Sequence, residues 1–94
     1  MTTTDNTVGP VLEPGDIASA IVAAIQSANA NVTVVDRGAY VRVLVPDRCV
    51  ARRAAIEAAL GRPFQLPGDL ERVMPSFKGR LTIDGDEVVW AWTR

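Results

Sequence analysis

The stretch Val32-Thr33-Val34-Val35-Asp36-Arg37-Gly38-Ala39-Tyr40-Val41-Arg42-Val43-Leu44-Val45 decides the fold. Two runs rich in β-branched residues flank Asp36-Arg37-Gly38, a tripeptide suited to a turn, so residues 32–36 and 39–45 read as a hairpin. In the second run Tyr40, Arg42 and Leu44 share one face, while Ala39, Val41, Val43 and Val45 share the other. This period of two marks a sheet with one face on the core. Upstream, Ile17, Ile21, Ala24, Ile25 and Ala28 recur at the spacing of an amphipathic helix, with Asp16 as its N-cap and Asn29-Ala30-Asn31 as its stop. Before that helix, Val8-Gly9-Pro10-Val11-Leu12 reads as a short strand, and Pro10, which has no N–H, places it at a sheet edge.

Downstream, Pro46-Asp47 ends the hairpin and residues 49–51 stay extended, because a helix begun at Cys49 would turn Arg53 towards its apolar stripe. The second helix therefore runs from about Arg52 to Leu60, buries Ile56, Ala59 and Leu60, and stops at Gly61 in the C′ position. Phe64 and Leu66 pin the irregular connection around Pro63 and Pro67-Gly68, and residues 70–74 are too few to assign. Residues 78–83 and 87–92 alternate on either side of Asp84-Gly85-Asp86, which reads as a last hairpin. The expected fold is α+β: a two-layer domain of β-α-β-β-α-(β)-β-β order with two helices on a largely antiparallel sheet. Residues 1–7 are small and polar and read as a flexible tail, leaving residues 8–94 as a single domain.

The chain has 94 residues, 48% hydrophobic and 22% charged, which suits one globular domain with a modest core and argues against a deep walled pocket. Histidine is absent and Cys49 is the single cysteine, so the usual near-neutral proton carrier, the commonest metal ligand and any internal disulfide are all missing. No cofactor or metal is expected, and the cysteine usage suits the cytoplasm. No basic leader and no apolar run of membrane-spanning length is present. A net charge of −1 argues against a nucleic-acid partner. The charge is nonetheless segregated: residues 48–80 hold seven basic and three acidic groups between acidic flanks. That segment reads either as solvated surface or as a patch that orients docking onto an acidic protein, with Arg52 and Arg72 its representatives.

No phosphate-binding glycine fingerprint can be written through Gly61, Gly68, Gly79 and Gly85. Asp84, Asp86 and Glu87 serve a turn, Ser76 has no base to activate it, Cys49 reads as buried, and Trp90 and Trp92 share a strand side suited to packing. The residues alone thus indicate a non-catalytic binding or regulatory module. A small-molecule sensor of ACT-like or ferredoxin-like type is the alternative, because the same strand and helix content fits that architecture.

Four segments together carry a more specific signal: Asn6-Thr7-Val8-Gly9-Pro10, Asp36-Arg37-Gly38-Ala39-Tyr40-Val41-Arg42, Leu60-Gly61-Arg62-Pro63-Phe64 and Ser76-Phe77-Lys78-Gly79. Their order and spacing resemble the effector, or coupling, proteins of soluble bacterial di-iron monooxygenases, most of all the toluene monooxygenase type. The phenol hydroxylase and methane monooxygenase regulatory proteins are similar at greater distance. The resemblance implies a cofactor-free, non-enzymatic protein, monomeric when free, that binds the hydroxylase component. There it would tune turnover, coupling and regioselectivity of aromatic, alkene or isoprene oxidation, in competition with ferredoxin or reductase for the same surface. Asn6, Val8, Gly9, Pro10, Arg52, Arg72, Ser76, Phe77 and Gly79 are the hydroxylase-binding candidates. The tail is expected to be disordered when free and to order on the hydroxylase.

Overall fold

The computed structural model describes residues 5–93. The β-branched and apolar runs form seven strands: β1 (Thr7–Leu12), β2 (Thr33–Asp36), β3 (Val41–Pro46), β4 (Arg48–Arg52), β5 (Ser76–Lys78), β6 (Arg80–Asp84) and β7 (Glu87–Ala91). Three helices interrupt them: α1 (Asp16–Ala28), α2 (Arg53–Leu60) and α3 (Gly68–Val73). The α+β class holds, but the strands divide into two sheets, one of order β2-β3-β1-β5 and one of order β4-β7-β6. All pairings are antiparallel.

The division has two local causes. Asp47, at φ 66, turns the chain between β3 in the first sheet and β4 in the second. Gly79, at φ 105, does the same between β5 and β6. The strand expected over residues 78–83 is therefore broken at Gly79, with Lys78 ending one strand and Arg80 opening another.

The strand expected at the edge, β1, is instead internal, between β3 and β5. Pro10 is tolerated there because the ladder to β3 pairs Val8 with Val45 and Val11 with Arg42 and has no pair in between. A Cβ at Gly9 would collide with the Val43 carbonyl oxygen, so only glycine admits this approach of β1 to β3. Thr7 is paired with Pro46 and is the first residue of β1, one position earlier than the expected domain boundary. Residues 1–4 of the expected tail lie outside the described residues.

The N-cap of α1 is Gly15, and Asp16 stands inside the first turn, where its carboxylate accepts from Arg62 Nη2 at 3.1 Å. Gly61 ends α2 at φ 78, as its place after Leu60 suggests. Ile56 is the buried residue of α2, whereas Ala59 is exposed because the short helix faces solvent one turn later. Residues 70–74, unassigned from sequence, fall largely in α3, whose Leu70 is buried and whose Val73 carbonyl accepts from Glu13 N–H at 2.8 Å.

One core unites the two sheets. Val8 and Leu12 of β1, Val43 and Val45 of β3, Cys49 and Ala51 of β4, and Val88 and Trp90 of β7 close around Ile21, Ala24 and Ile25 of α1. Phe64 anchors the connection after α2, where its N–H donates to Glu57 Oε2 at 2.8 Å. Asn29, at the end of α1, ties helix to sheet: its Nδ2 donates to the Ile25 and Val50 carbonyls and its Oδ1 accepts from Val50 N–H. Ala39 is exposed and precedes β3, so the inner face expected for that strand starts at Val41.

Candidate docking surface

No three His, Cys, Asp or Glu side chains converge in a metal-holding group among the described residues. Cys49 is fully buried, and burial pushes its thiol up to about 12, the direction of an inert packing residue.

The solvent side of the four-stranded sheet forms two cross-strand rows. In one, Val35 pairs with Arg42, Arg42 with Val11, and Val11 with Ser76, so a single line crosses all four strands. Beside it, Thr33 pairs with Leu44 and Gly9 with Lys78. Val11, Val35 and Leu44 are half-buried, while Thr33, Arg42 and Ser76 are exposed. A shallow notch of about 40 Å³ on this face is lined by Gly9, Val11, Arg42, Leu44, Ser76, Phe77 and Lys78.

Phe77 lies on the edge strand β5 and is 42% exposed, which makes it a surface aromatic. Ser76 is exposed beside it. Two other candidates, Val8 and Pro10, are fully buried and belong to the core, because alternation along β1 turns them away from solvent. Gly9 contributes backbone only. Asn6 is half-buried, with its Nδ2 donating to Asp47 Oδ1 at 2.6 Å. Gly79 marks the passage between sheets, where a Cβ would meet Val8 Cγ1 at 2.7 Å and the Ala91 carbonyl oxygen at 2.9 Å.

The basic segment is largely neutralised in the fold. Arg48 and Arg52 each stand 3.9 Å from Glu87, Arg53 pairs with Asp86 at 2.8 Å and Arg62 with Asp16 at 3.1 Å. Lys78 donates to Asp5 and, with the Thr7 hydroxyl and N–H, holds that carboxyl well below the usual range. Asp86 and Glu87 therefore do more than shape a hairpin tip. Arg37, Arg42, Arg72 and Arg80 have no ion-pair partner among the described residues. Arg52 and Arg72 lie on separate elements, β4 and α3.

Val11, Arg42 and Leu44 are further outward-facing residues of this sheet beyond the candidates named from sequence, and the alternation that puts Arg42 and Leu44 on one face was their signal. Alternation also paired the two tryptophans: Trp90 is fully buried, whereas Trp92 lies past the end of β7 and is 36% exposed. The indole N–H of Trp90 has no acceptor among the described residues.

The two-sheet arrangement differs from the single sheet of the ACT-like or ferredoxin-like alternative. It matches solved regulatory proteins. The regulatory protein in a structure of the phenol hydroxylase–regulatory protein complex superposes with a TM-score of 0.81 at 22% identity, covering 93% of this chain and 99% of that one. The soluble methane monooxygenase regulatory protein B gives a TM-score of 0.72, also at 22% identity, over 99% of this chain and 70% of that one. In sequence, the effector subunit of the alkene monooxygenase system of Xanthobacter autotrophicus (strain ATCC BAA-1158 / Py2) is 43% identical over 88 residues, which is 92% of this chain and 86% of the relative. The family model for MmoB/DmpM matches residues 6–91, and the chain belongs to the MmoB/DmpM family.

Proposed function

We propose that this chain is the effector component of a multicomponent monooxygenase, a cofactor-free and non-catalytic protein that binds the hydroxylase component. There it sets turnover, coupling of reductant to product, and regioselectivity of hydrocarbon oxidation. The observation that carries the reading is the 43% identity to an alkene monooxygenase effector subunit across 92% of the chain. That relative favours alkenes among the candidate hydrocarbons. The one cysteine is buried and unpaired, which suits work in the cytoplasm.

The mechanism needs only differential contact. An effector changes a rate by binding one hydroxylase conformation more tightly than another, and the shift it produces is bounded by that difference in affinity. The exposed Ser76-Phe77 edge and the adjoining sheet face supply a surface with an aromatic anchor. A ferredoxin or reductase that uses the same hydroxylase surface would compete with it, so excess effector should inhibit.

Reconstitution tests the reading. Purified protein is titrated into the hydroxylase, ferredoxin and reductase of its host with a short alkene such as propene, and epoxide formed per reductant consumed is followed. A rise to a maximum followed by a decline at excess effector is expected, and a flat titration refutes the assignment.

A further inference from the structure

We infer that an extended segment of the hydroxylase adds to β2 as a fifth strand of its sheet, with an apolar side chain in the groove between β2 and α1 and a lysine or arginine beside Asp36. The inference rests on the hydroxylase-binding reading and names one contact of it, at the opposite edge of the sheet from Phe77.

Three observations converge. The first is a free backbone edge. β2 ends the four-stranded sheet, and no strand pairs with its outer side among the described residues. It runs antiparallel to β3, and Arg37 N–H donates to the Tyr40 carbonyl just beyond the last paired residues. Because hydrogen-bonded and non-hydrogen-bonded pairs alternate, the backbone groups of Thr33 and Val35 turn towards β3 and those of Val34 and Asp36 towards the open side. The run Thr33-Val34-Val35-Asp36 holds no proline, lysine or bulge of the kind that guards an edge. The fold does guard an edge elsewhere: on β4 the Asn29 side chain engages both backbone groups of Val50.

The second is a groove beside that edge. Val34 and Asp36 share one face of β2, and Val41 of β3 stands opposite Asp36. With Ala18, Ser19 and Val22 of α1 they line a mostly apolar groove of about 470 Å³, where the small helix side chains leave Val34 38% exposed. An added strand places every second side chain on this face, so the residue opposite Val34 enters the groove. Main-chain bonds then supply affinity and the groove supplies specificity. The volume by itself admits a small molecule as well, but the adjoining free donors and acceptors of β2 select an extended chain.

The third is charge. Asp36 Oδ1 accepts from Gly38 N–H at 2.8 Å, which fixes the carboxylate at the turn, and no cation pairs with it among the described residues. Asp36 is two residues from Val34, so the side chain of an added strand that faces it is two residues from the one in the groove. The complementary segment therefore carries an apolar and a basic residue separated by one position.

Amide hydrogen exchange of the full chain is followed on peptides spanning residues 33–37, free and with excess purified hydroxylase of the host system. Exchange at Val34 and Asp36 is expected to slow about tenfold or more in the complex. Val34→Pro removes the outward N–H at a position where an edge strand tolerates proline, and Ser19→Phe fills the groove from an exposed site on α1. Each is expected to weaken hydroxylase binding about tenfold or more with the fold retained, and Ser19→Phe carries the test should Val34→Pro fail to fold. Asp36→Asn keeps the bond to Gly38 N–H, removes the charge and is expected to weaken binding by a smaller factor. Unchanged exchange over residues 33–37 in a saturated complex, or wild-type affinity in either folded variant, overturns the strand addition and leaves the effector reading in place. Protection that rises with the concentration of this chain alone assigns the edge to a second copy and likewise overturns it. Absence of hydroxylase binding by the unmodified protein overturns both readings.

Discussion

Asn6 and Asp47 bind each other twice: Asn6 Nδ2 donates to Asp47 Oδ1 at 2.6 Å, and Asp47 N–H donates to the Asn6 carbonyl at 3.0 Å. The Asp47 carbonyl in turn accepts from Trp92 N–H at 2.8 Å. A single residue thus joins the start of β1, the passage between the sheets and the end of β7. It does so in a left-handed conformation, φ 66, that aspartate tolerates better than most residues. Replacing Asp47 by Ala is expected to lower stability by about 1–2 kcal/mol, mainly through that conformation. Asp47→Gly should recover the conformational part. Urea denaturation of the pair measures the difference, and equal stability of Ala and Gly variants would contradict the account.

Phe77→Ala should leave the fold intact, because the ring is 42% exposed on an edge strand. A buried phenylalanine would cost about 3–5 kcal/mol on truncation, whereas this one is expected to shift the melting temperature little. Maximal stimulation of the hydroxylase should fall. A folded variant that stimulates as wild type removes Phe77 from the docking surface.

The sequence made the hairpin of β2 and β3, helix α1, the extended run before α2 and its glycine stop legible, since each depends on local periodicity or on one backbone-permissive residue. It did not reveal two sheets. That division arises at Asp47 and Gly79, where one residue in each case redirects the chain, and nothing local distinguishes such a residue from an ordinary turn or strand member. Pro10 misdirected the placement of β1, because an interrupted ladder provides the same relief as an open edge. For the site, alternation marked Arg42 and Leu44 as outward-facing, but the absence of an acid opposite Arg42 is a tertiary fact. The same holds for the basic segment, whose apparent excess is offset by acids up to 73 residues away.

The Asp5–Lys78 pair gives a signed pH dependence. Lys78 and Thr7 hold the Asp5 carboxyl below its ordinary value of 3.8, so its contribution to stability is fully present above that value and is lost as pH falls through the lower native value. The gap in melting temperature between wild type and Asp5→Asn should be constant from neutral pH to about 5 and close in stronger acid. A gap that widens on acidification would reverse the sign and exclude the pairing as its source.

Cys49 should resist thiol reagents in the native protein. Its side chain is fully buried and its thiol is pushed up to about 12, so thiolate is scarce at pH 8. Labelling with a maleimide should require unfolding and follow the urea transition. Rapid labelling in native buffer would show that β4 opens far more readily than its place in the core implies.

Gly79 separates a structural residue from a contact residue. The sequence makes it a docking candidate as part of Ser76-Phe77-Lys78-Gly79, yet its geometry points inward as much as outward. The backbone stands at φ 105, and a Cβ would press on Val8 Cγ1 at 2.7 Å and the Ala91 carbonyl oxygen at 2.9 Å. Val8 is fully buried in β1 and Ala91 is the last residue of β7, so the crowding falls where the two sheets meet. Gly79→Ala should therefore destabilise by more than about 2 kcal/mol, from strain and overpacking together. Activity at saturating concentration, corrected for the folded fraction from denaturation curves, should match wild type. The contrast with Phe77→Ala is the diagnostic: one variant loses stability and keeps stimulation, the other keeps stability and loses stimulation. If Gly79→Ala instead melts as wild type and stimulates poorly, the glycine is a hydroxylase contact and the seam tolerates a side chain that its geometry forbids.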